Sequence, residues 1–319
     1  MPWTKGEQVN LSISRDGGTT WTACKVASGD TVKGGTAGFA VADHDSAGNV
    51  YVVWADSDRY HVWMSRLGGP QVAACNESLD DVAADKANGN QPTVDPGWTA
   101  PVQVDRDAVR TTVFPWVAAG GAPGRVAVAF YGTTADGDPN SGEFDAAWDV
   151  YVNQSLDGGS SFSQVKATTR PFHYDSICLN GLGCDLATPP GDRSLADFFA
   201  IGYSPADGRL YVVFDRTNKK PDEDLGHVAT PMVFSQIAGP SNDGGTVSVA
   251  GRDPVRSSTT DAAGDALANY SVTAPAAVPP DPPTTNEPAA DSRRSRSGRT
   301  PRRAGSRSRS AWPTSRRRR

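Results

Sequence analysis

Two eight-residue segments, Ser14-Arg15-Asp16-Gly17-Gly18-Thr19-Thr20-Trp21 and Ser155-Leu156-Asp157-Gly158-Gly159-Ser160-Ser161-Phe162, share the pattern Ser-x-Asp-Gly-Gly-x-(Thr/Ser)-aromatic. Such a pattern describes a self-contained hairpin turn. The Asp carboxylate accepts hydrogen bonds from the turn amides, and the glycines allow positive φ. The closing aromatic, Trp21 or Phe162, is expected to return to the core. Two weaker copies exist: Ser65-Arg66-Leu67-Gly68-Gly69 has lost the Asp and the aromatic, and Ser241-Asn242-Asp243-Gly244-Gly245 has lost only the aromatic.

The rest of the chain keeps the same rhythm. Gly48-Asn49-Val50-Tyr51-Val52-Val53-Trp54, Gly124-Arg125-Val126-Ala127-Val128-Ala129-Phe130 and Gly208-Arg209-Leu210-Tyr211-Val212-Val213-Phe214 each open on a Gly turn and run on as a strand. An apolar run precedes each (Gly38–Ala42, Phe114–Ala119, Asp197–Tyr203), and a third strand follows (His61–Arg66, Asp149–Ser155, Pro231–Gln236). The repeated unit is therefore a meander of short antiparallel strands, consistent with 33 Gly, 24 Pro and eight Trp in 319 residues.

The Ser-x-Asp-Gly-Gly-x-Thr-Trp turn after a strand resembles the Asp-box, or BNR repeat, of sialidase-superfamily β-propellers. That resemblance covers roughly residues 8–250. It implies an all-β fold of four-stranded blades, with boxes joining the third and fourth strands on the face opposite the active site. Residues 8–26 are expected to give the last two strands of one blade and 36–104 a second, interrupted by an insertion at 67–98. A third is expected at 113–166 and a fourth at 196–250, about three and a half blades in all, hence an incomplete ring and part of a longer protein. The domains expected are 1–255 as a partial propeller, 256–291 as a Pro/Ala-rich linker and 292–319 as a disordered Arg/Ser-rich tail.

Charge divides the same way. Twelve of the 31 Lys+Arg lie between Arg293 and Arg319, leaving 19 against 36 Asp+Glu before them, a charge of −17. An acidic body repels phosphate backbones, so nucleic acid is not the expected partner unless the tail alone binds it. The tail reads either as a basic arm or as an out-of-frame extension. No run of about 18 apolar residues exists, which excludes a membrane-spanning helix. No secretory leader stands at the start as written, although the resemblance implies an exported parent protein. Cys178 and Cys184, six apart around glycines, suit a small disulfide loop, and Cys24 with Cys75 are candidates for a second.

Loops between second and third strands, and those between blades, open on the face expected to bind ligands. On them fall Asp56, Asp58 and Arg59; Asp136, Asp138, Glu143 and Asp145; Asp215 and Arg216; and, between blades, Arg110, His173, Asp175, Arg193 and Asp197. The resemblance implies a sialidase-like glycoside hydrolase acting on terminal sugars of glycans or glycoproteins. Three arginines would clamp the substrate carboxylate, a bidentate task, and an acid/base aspartate would serve a tyrosine nucleophile activated by glutamate.

By loop position alone, Arg59, Arg110, Arg193 and Arg216 are clamp candidates, Tyr131 with Glu143 the nucleophile pair, and Asp56, Asp197 and Asp215 the carboxylates. The family's early Arg-(Ile/Leu)-Pro motif is absent. A non-catalytic propeller binding surface glycans or proteins, or an inactive fragment, is the alternative. No cofactor or metal is expected: the Asp136–Glu143 stretch does not match an EF-hand loop, and His173 with Asp185 lacks paired Cys-x-x-Cys spacing. The four histidines look ungrouped. Trp54, Trp63, Trp98, Trp116 and Trp148 could stack on sugars, but strand periodicity puts most of them in the core.

Overall fold

A computed structural model describes residues 1–181, 183, 191–195, 198–217 and 230–249, and the backbone of 269–271. The described structure falls in one compact unit, Met1–Ala277. The tail, together with Cys184, Asp185, Asp197 and most of the stretch expected as a linker, lies outside the described residues.

Four antiparallel sheets follow one another along the chain. The first is β1 (Pro2–Lys5), β2 (Gln8–Ile13), β3 (Thr22–Ser28) and the short β7 (Glu77–Ser78). The second is β4 (Val41–His44), β5 (Val50–Ala55), β6 (Val62–Leu67) and β8 (Val102–Gln103). The third is β9 (Thr111–Ala118), β10 (Val126–Thr133), β11 (Ala147–Ser155) and β12 (Ser163–Lys166), with β13 (His173–Tyr174) added to β11. The fourth is β14 (Ala200–Tyr203), β15 (Leu210–Arg216), β16 (Thr230–Pro240) and β17 (Thr246–Ser248), with β18 (Asn269–Ser271) added to β16.

The fold is thus all-β and propeller-like, and the strand inventory of the first sheet needs correction. Pro2–Lys5 pairs with β2 from Pro2↔Leu11 to Lys5↔Gln8, so the first sheet holds more than two strands. Asn269–Ser271, beyond the boundary expected at 255, pairs with β16.

Consecutive sheets pack face to face, because alternate residues of each strand point to opposite faces. Val126, Val128 and Phe130 meet Tyr51, Val53 and Met64 of the second sheet. Ala127, Ala129 and Tyr131, from the same strand, meet Phe172, Val212 and Phe214 on the other side. Every residue of β10 is buried accordingly. β15 alternates instead: Val213 is 44% exposed and its cross-strand partner Val233 47%. That face of the fourth sheet has no neighbour among the described residues.

The insertion after β6 forms a 3-10 turn (Gly69–Ala74), β7 and a short helix, Leu79–Ala84. It folds back on the first sheet, where β7 pairs with β3 and Cys75 is bonded to Cys24.

Both full copies of the Ser-x-Asp-Gly-Gly turn adopt the expected hairpin. In the first, Asp16 accepts from Thr20 N (2.8 Å) and Thr20 Oγ1 (2.6 Å), and Ser14 Oγ accepts from Gly18 N (2.7 Å). Those hydrogen bonds, led by the Thr20 hydroxyl, hold the Asp16 carboxyl down at about 2. Asp157 repeats the set with Ser161 and Ser155.

The closing aromatics part company. Phe162 is buried against the second sheet, whereas Trp21 is 37% exposed and reaches only Gly18 O (3.1 Å), contrary to the expectation that it enters the core. The reason lies in the neighbours. Gly158 and Gly159 abut Arg66 and Met64 of the preceding sheet, while around Gly17 and Gly18 a Cβ would meet nothing within 4 Å.

The degenerate fourth box is seated in the same way. Its Asn242 carbonyl accepts from Ala122 N (2.8 Å) and lies directly over Gly121 of the β9–β10 turn. A methyl group on Gly121 would collide with that carbonyl, and backbone cannot step aside as a side-chain tip can. Gly121→Ala is expected to lower unfolding free energy by about 2–3 kcal/mol. Gly202→Ala, where a Cβ meets nothing within 4 Å, should be neutral or slightly stabilising. Urea unfolding of the two variants checks this, and equal effects would mean that the joint yields.

Candidate functional site

Three loops meet on the face opposite the boxes: residues 56–61 between β5 and β6, 104–110 between β8 and β9, and 134–146 between β10 and β11. They enclose a cavity of about 460 Å³ lined by Asp58, Arg59, Tyr60, His61, Arg110, Asp136 and Asp138, among others.

The first loop is organised from within. Asp56 is fully buried and its carboxylate accepts from Asp58 N (3.0 Å), Arg59 N (2.6 Å), His61 N (3.2 Å) and Trp63 Nε1 (2.9 Å). At the apex Tyr60 takes φ +56°, uncommon for a bulky residue. Its carbonyl is pinned by Thr112 N (2.8 Å) and Thr112 Oγ1 (2.5 Å). The Tyr60 hydroxyl then donates to Asp138 Oδ1 (2.7 Å), which also takes Asn140 N (2.9 Å) and Nδ2 (2.8 Å), so two loops are stitched together. Burial alone would raise the Asp138 carboxyl, but these donors outweigh it and hold it below its ordinary value. Burial, reinforced by Asp138, pushes the Tyr60 phenol up, so it stays protonated.

His61 stands behind this stitch. Its Nδ1 lies 2.9 Å from Asp105 Oδ2, a carboxylate only 2% exposed that also accepts from Val62 N (2.7 Å) and Gln103 Nε2 (3.0 Å). The Asp105 hydrogen bond raises the imidazole above its ordinary value against the opposing effect of burial. The cavity lining carries both cations and anions. Lys33 pairs with Asp58 at 3.1 Å, while Arg59 and Arg110 are exposed and make no salt bridge among the described residues.

Of the residues expected on the mouth, Arg59, Arg110, Asp58, Asp136 and Asp138 are brought together, and Asp56 serves as the loop's internal acceptor. Glu143 and Asp145 are exposed and do not line the cavity. Arg216 borders a second, smaller hollow of about 240 Å³ with Arg170, Phe172, Phe214 and Phe234. Asp215 lies beside it in sequence, its carboxyl raised by burial. Arg193 is exposed and in neither cavity, and Asp197 lies outside the described residues.

Tyr131 overturns its expected place: it is 1% exposed, with ring centroids 4.5 Å from Phe172 and 4.4 Å from Phe199. Burial drives its phenol up, the opposite of what a nucleophile needs. His173 is also core, its ring nitrogens at Thr217 Oγ1 (2.5 Å) and Ser176 O (3.0 Å). Cys178 is disulfide-bonded. Trp54 and Trp148 are fully buried, and Trp63 turns its indole N–H to Asp56. Among the described residues no group of three or more His, Cys, Asp or Glu could hold a metal ion, and no helix is long and apolar enough to cross a membrane.

Sequence reasoning missed the His61–Asp105 pair. The signal lies in strand register: β6 pairs with β8 at Trp63↔Gln103 and Met64↔Val102, which carries the two chain ends side by side at the mouth. Fold and site together define a propeller-like β-protein with a polar, mixed-charge cavity on the face opposite its boxes. No family model and no curated protein matches the chain. Among solved structures it is similar to the endo-1,5-alpha-L-arabinanase from Thermotoga petrophila RKU-1, at 10% identity and a TM-score of 0.30, with 80% of this chain matched. The match spans 61% of the arabinanase's length, and a superposition that loose identifies neither an activity nor a substrate.

Proposed function

We propose that the mouth cavity receives a carboxylate-bearing terminal sugar of a glycan, and that the protein is a sialidase-like glycoside hydrolase of the exported class. The observation that carries this reading is the convergence of Arg59 and Arg110, from loops of two different sheets, on one cavity rimmed by aspartates. Guanidinium groups suit a carboxylate, and carboxylates suit sugar hydroxyls. The Cys24–Cys75 bridge supports an oxidising compartment. The alternative, a non-catalytic glycan-binding propeller, is favoured by the burial of Tyr131, since no other tyrosine was expected as nucleophile.

Titration calorimetry with N-acetylneuraminic acid tests the binding half. Arg59→Ala and Arg110→Ala should each weaken the wild-type affinity about tenfold, the usual size for a lost charge-assisted hydrogen bond. Unchanged affinity in the double variant would overturn the assignment. Release of fluorophore from a 4-methylumbelliferyl sialoside separates the hydrolase from the binding protein.

A further inference from the structure

We propose that His61 is the third positive charge of the mouth cavity, and that it takes up a proton when a carboxylate-bearing sugar binds beside Arg59 and Arg110. The inference rests on the acidic-sugar reading above and extends it to a residue that no clamp of arginines includes.

Asp105 is buried and satisfied by three donors, so it is fixed and acts as the acceptor for His61 Nδ1–H. That leaves Nε2 as the nitrogen available to the cavity, and among the described residues it has no hydrogen-bond partner. The side chain is 22% exposed, enough for a ligand atom to reach the ring edge. With Nδ1–H held by a carboxylate, a neutral ring presents a lone pair at Nε2 and a protonated ring presents a donor. Only the protonated ring attracts an anion.

The charges around the imidazole favour the protonated form in the free protein without fixing it there. Asp105 and Asp56 raise it, while Arg59 and burial lower it. Across the cavity stand Arg110, Asp136 and Asp138. A bound carboxylate adds a negative charge on the cavity side and offsets Arg59 and Arg110, so occupancy and protonation reinforce one another by linkage. Affinity should therefore be greatest below the titration of the free imidazole. It should fall by up to about tenfold per pH unit above it, until the bound form also loses its proton.

Calorimetry of N-acetylneuraminic acid near neutral pH, in two buffers of different ionisation enthalpy, reads the proton directly. Wild type should show net uptake of a fraction of a proton per site, largest at the pH where the free imidazole is neutral and the bound one still charged, and vanishing at lower pH. His61→Gln, which keeps an N–H for Asp105, should bind about tenfold more weakly at pH 6, with neither uptake nor pH slope. Asp105→Asn should keep the slope but move it to lower pH, which a purely structural contact would not do. In the unmutated protein, the His61 Cε1–H resonance should titrate at higher pH with the sugar bound.

If binding depends on Arg59 and Arg110 but not on His61, and no proton is taken up, this proposal falls and the acidic-sugar reading stands. If wild type binds no carboxylated sugar at any pH, both fall.

Discussion

Replacing Cys24 and Cys75 together by alanine is expected to lower unfolding free energy by about 4 kcal/mol. The bridge closes a loop across a sequence separation of 51, and the entropy it removes from the unfolded chain gives about that figure. Both cysteines are fully buried, in the cluster that joins the first sheet to the second. The bridge also fixes the insertion on the edge of the first sheet, together with the hydrogen bonds from Lys25 N to Val94 O (2.8 Å) and from Gln8 Nε2 to Pro92 O (2.8 Å). β7 contributes only Thr22↔Ser78 and Ala23↔Glu77, and Arg15 and Thr22 reach the carbonyls of Val72 and Cys75. The double variant isolates this bridge, whereas a reductant would also open the one at Cys178. Urea unfolding is the measurement, and a loss under 1 kcal/mol would mean that the insertion docks without its covalent tie.

Asp45→Ala should have an effect of similar size for a different reason. The Asp45 side chain is 1% exposed and accepts from Ala47 N (3.0 Å), Asn49 N (3.1 Å), Asn49 Nδ2 (2.8 Å), Tyr51 Oη (2.8 Å) and Gly124 N (2.9 Å). The last of these belongs to the third sheet, so one carboxylate ties two sheets together. Removing it strands several donors away from water, a loss of about 3–5 kcal/mol. Burial would raise this carboxyl, but its donors outweigh that and hold it below its ordinary value. A carboxyl lowered in the folded state stabilises above its unfolded pKa, and that stability disappears as pH falls through the folded value. The gap between wild type and Asp45→Ala should therefore be widest near neutrality and close in acid. Asp207 accepts from Tyr211 in the same way (2.9 Å) but is exposed, so Asp207→Ala should change stability by no more than about 0.5 kcal/mol. Equal losses at the two positions would refute the argument from burial.

What could be read from the chain was what its residues settle locally. The boxes around Asp16 and Asp157, and the strands led by Gly48, Gly124 and Gly208, carry their own turn chemistry. Arg59, Arg110, Asp136 and Asp138 line one cavity because strand connectivity carries their loops to the same end of the sheets. Three of the failures share a cause: a neighbour remote in sequence. Trp21 reads like Phe162, but no sheet among the described residues packs against its turn. Tyr131 ends a strand near the mouth, yet Phe172 and Phe199 close over it. His61 meets Asp105 only because β6 and β8 pair across the whole insertion. Pro2–Lys5 shows that a proline and a short run can still form a strand at a sheet edge.

The seating of the Asp157 turn on the sheet before it bears on the cavity at the other end. Second and third sheets are locked along one rim by Gly158, Gly159 and Asp45, and along the opposite rim by Tyr60 with Asp138. The cavity straddles that doubly fastened seam. Its two arginines sit on separate slabs whose spacing is set from both ends, like jaws of a clamp tightened at top and bottom. A ligand entering the cavity would therefore meet a gap whose width is set by those two fastenings.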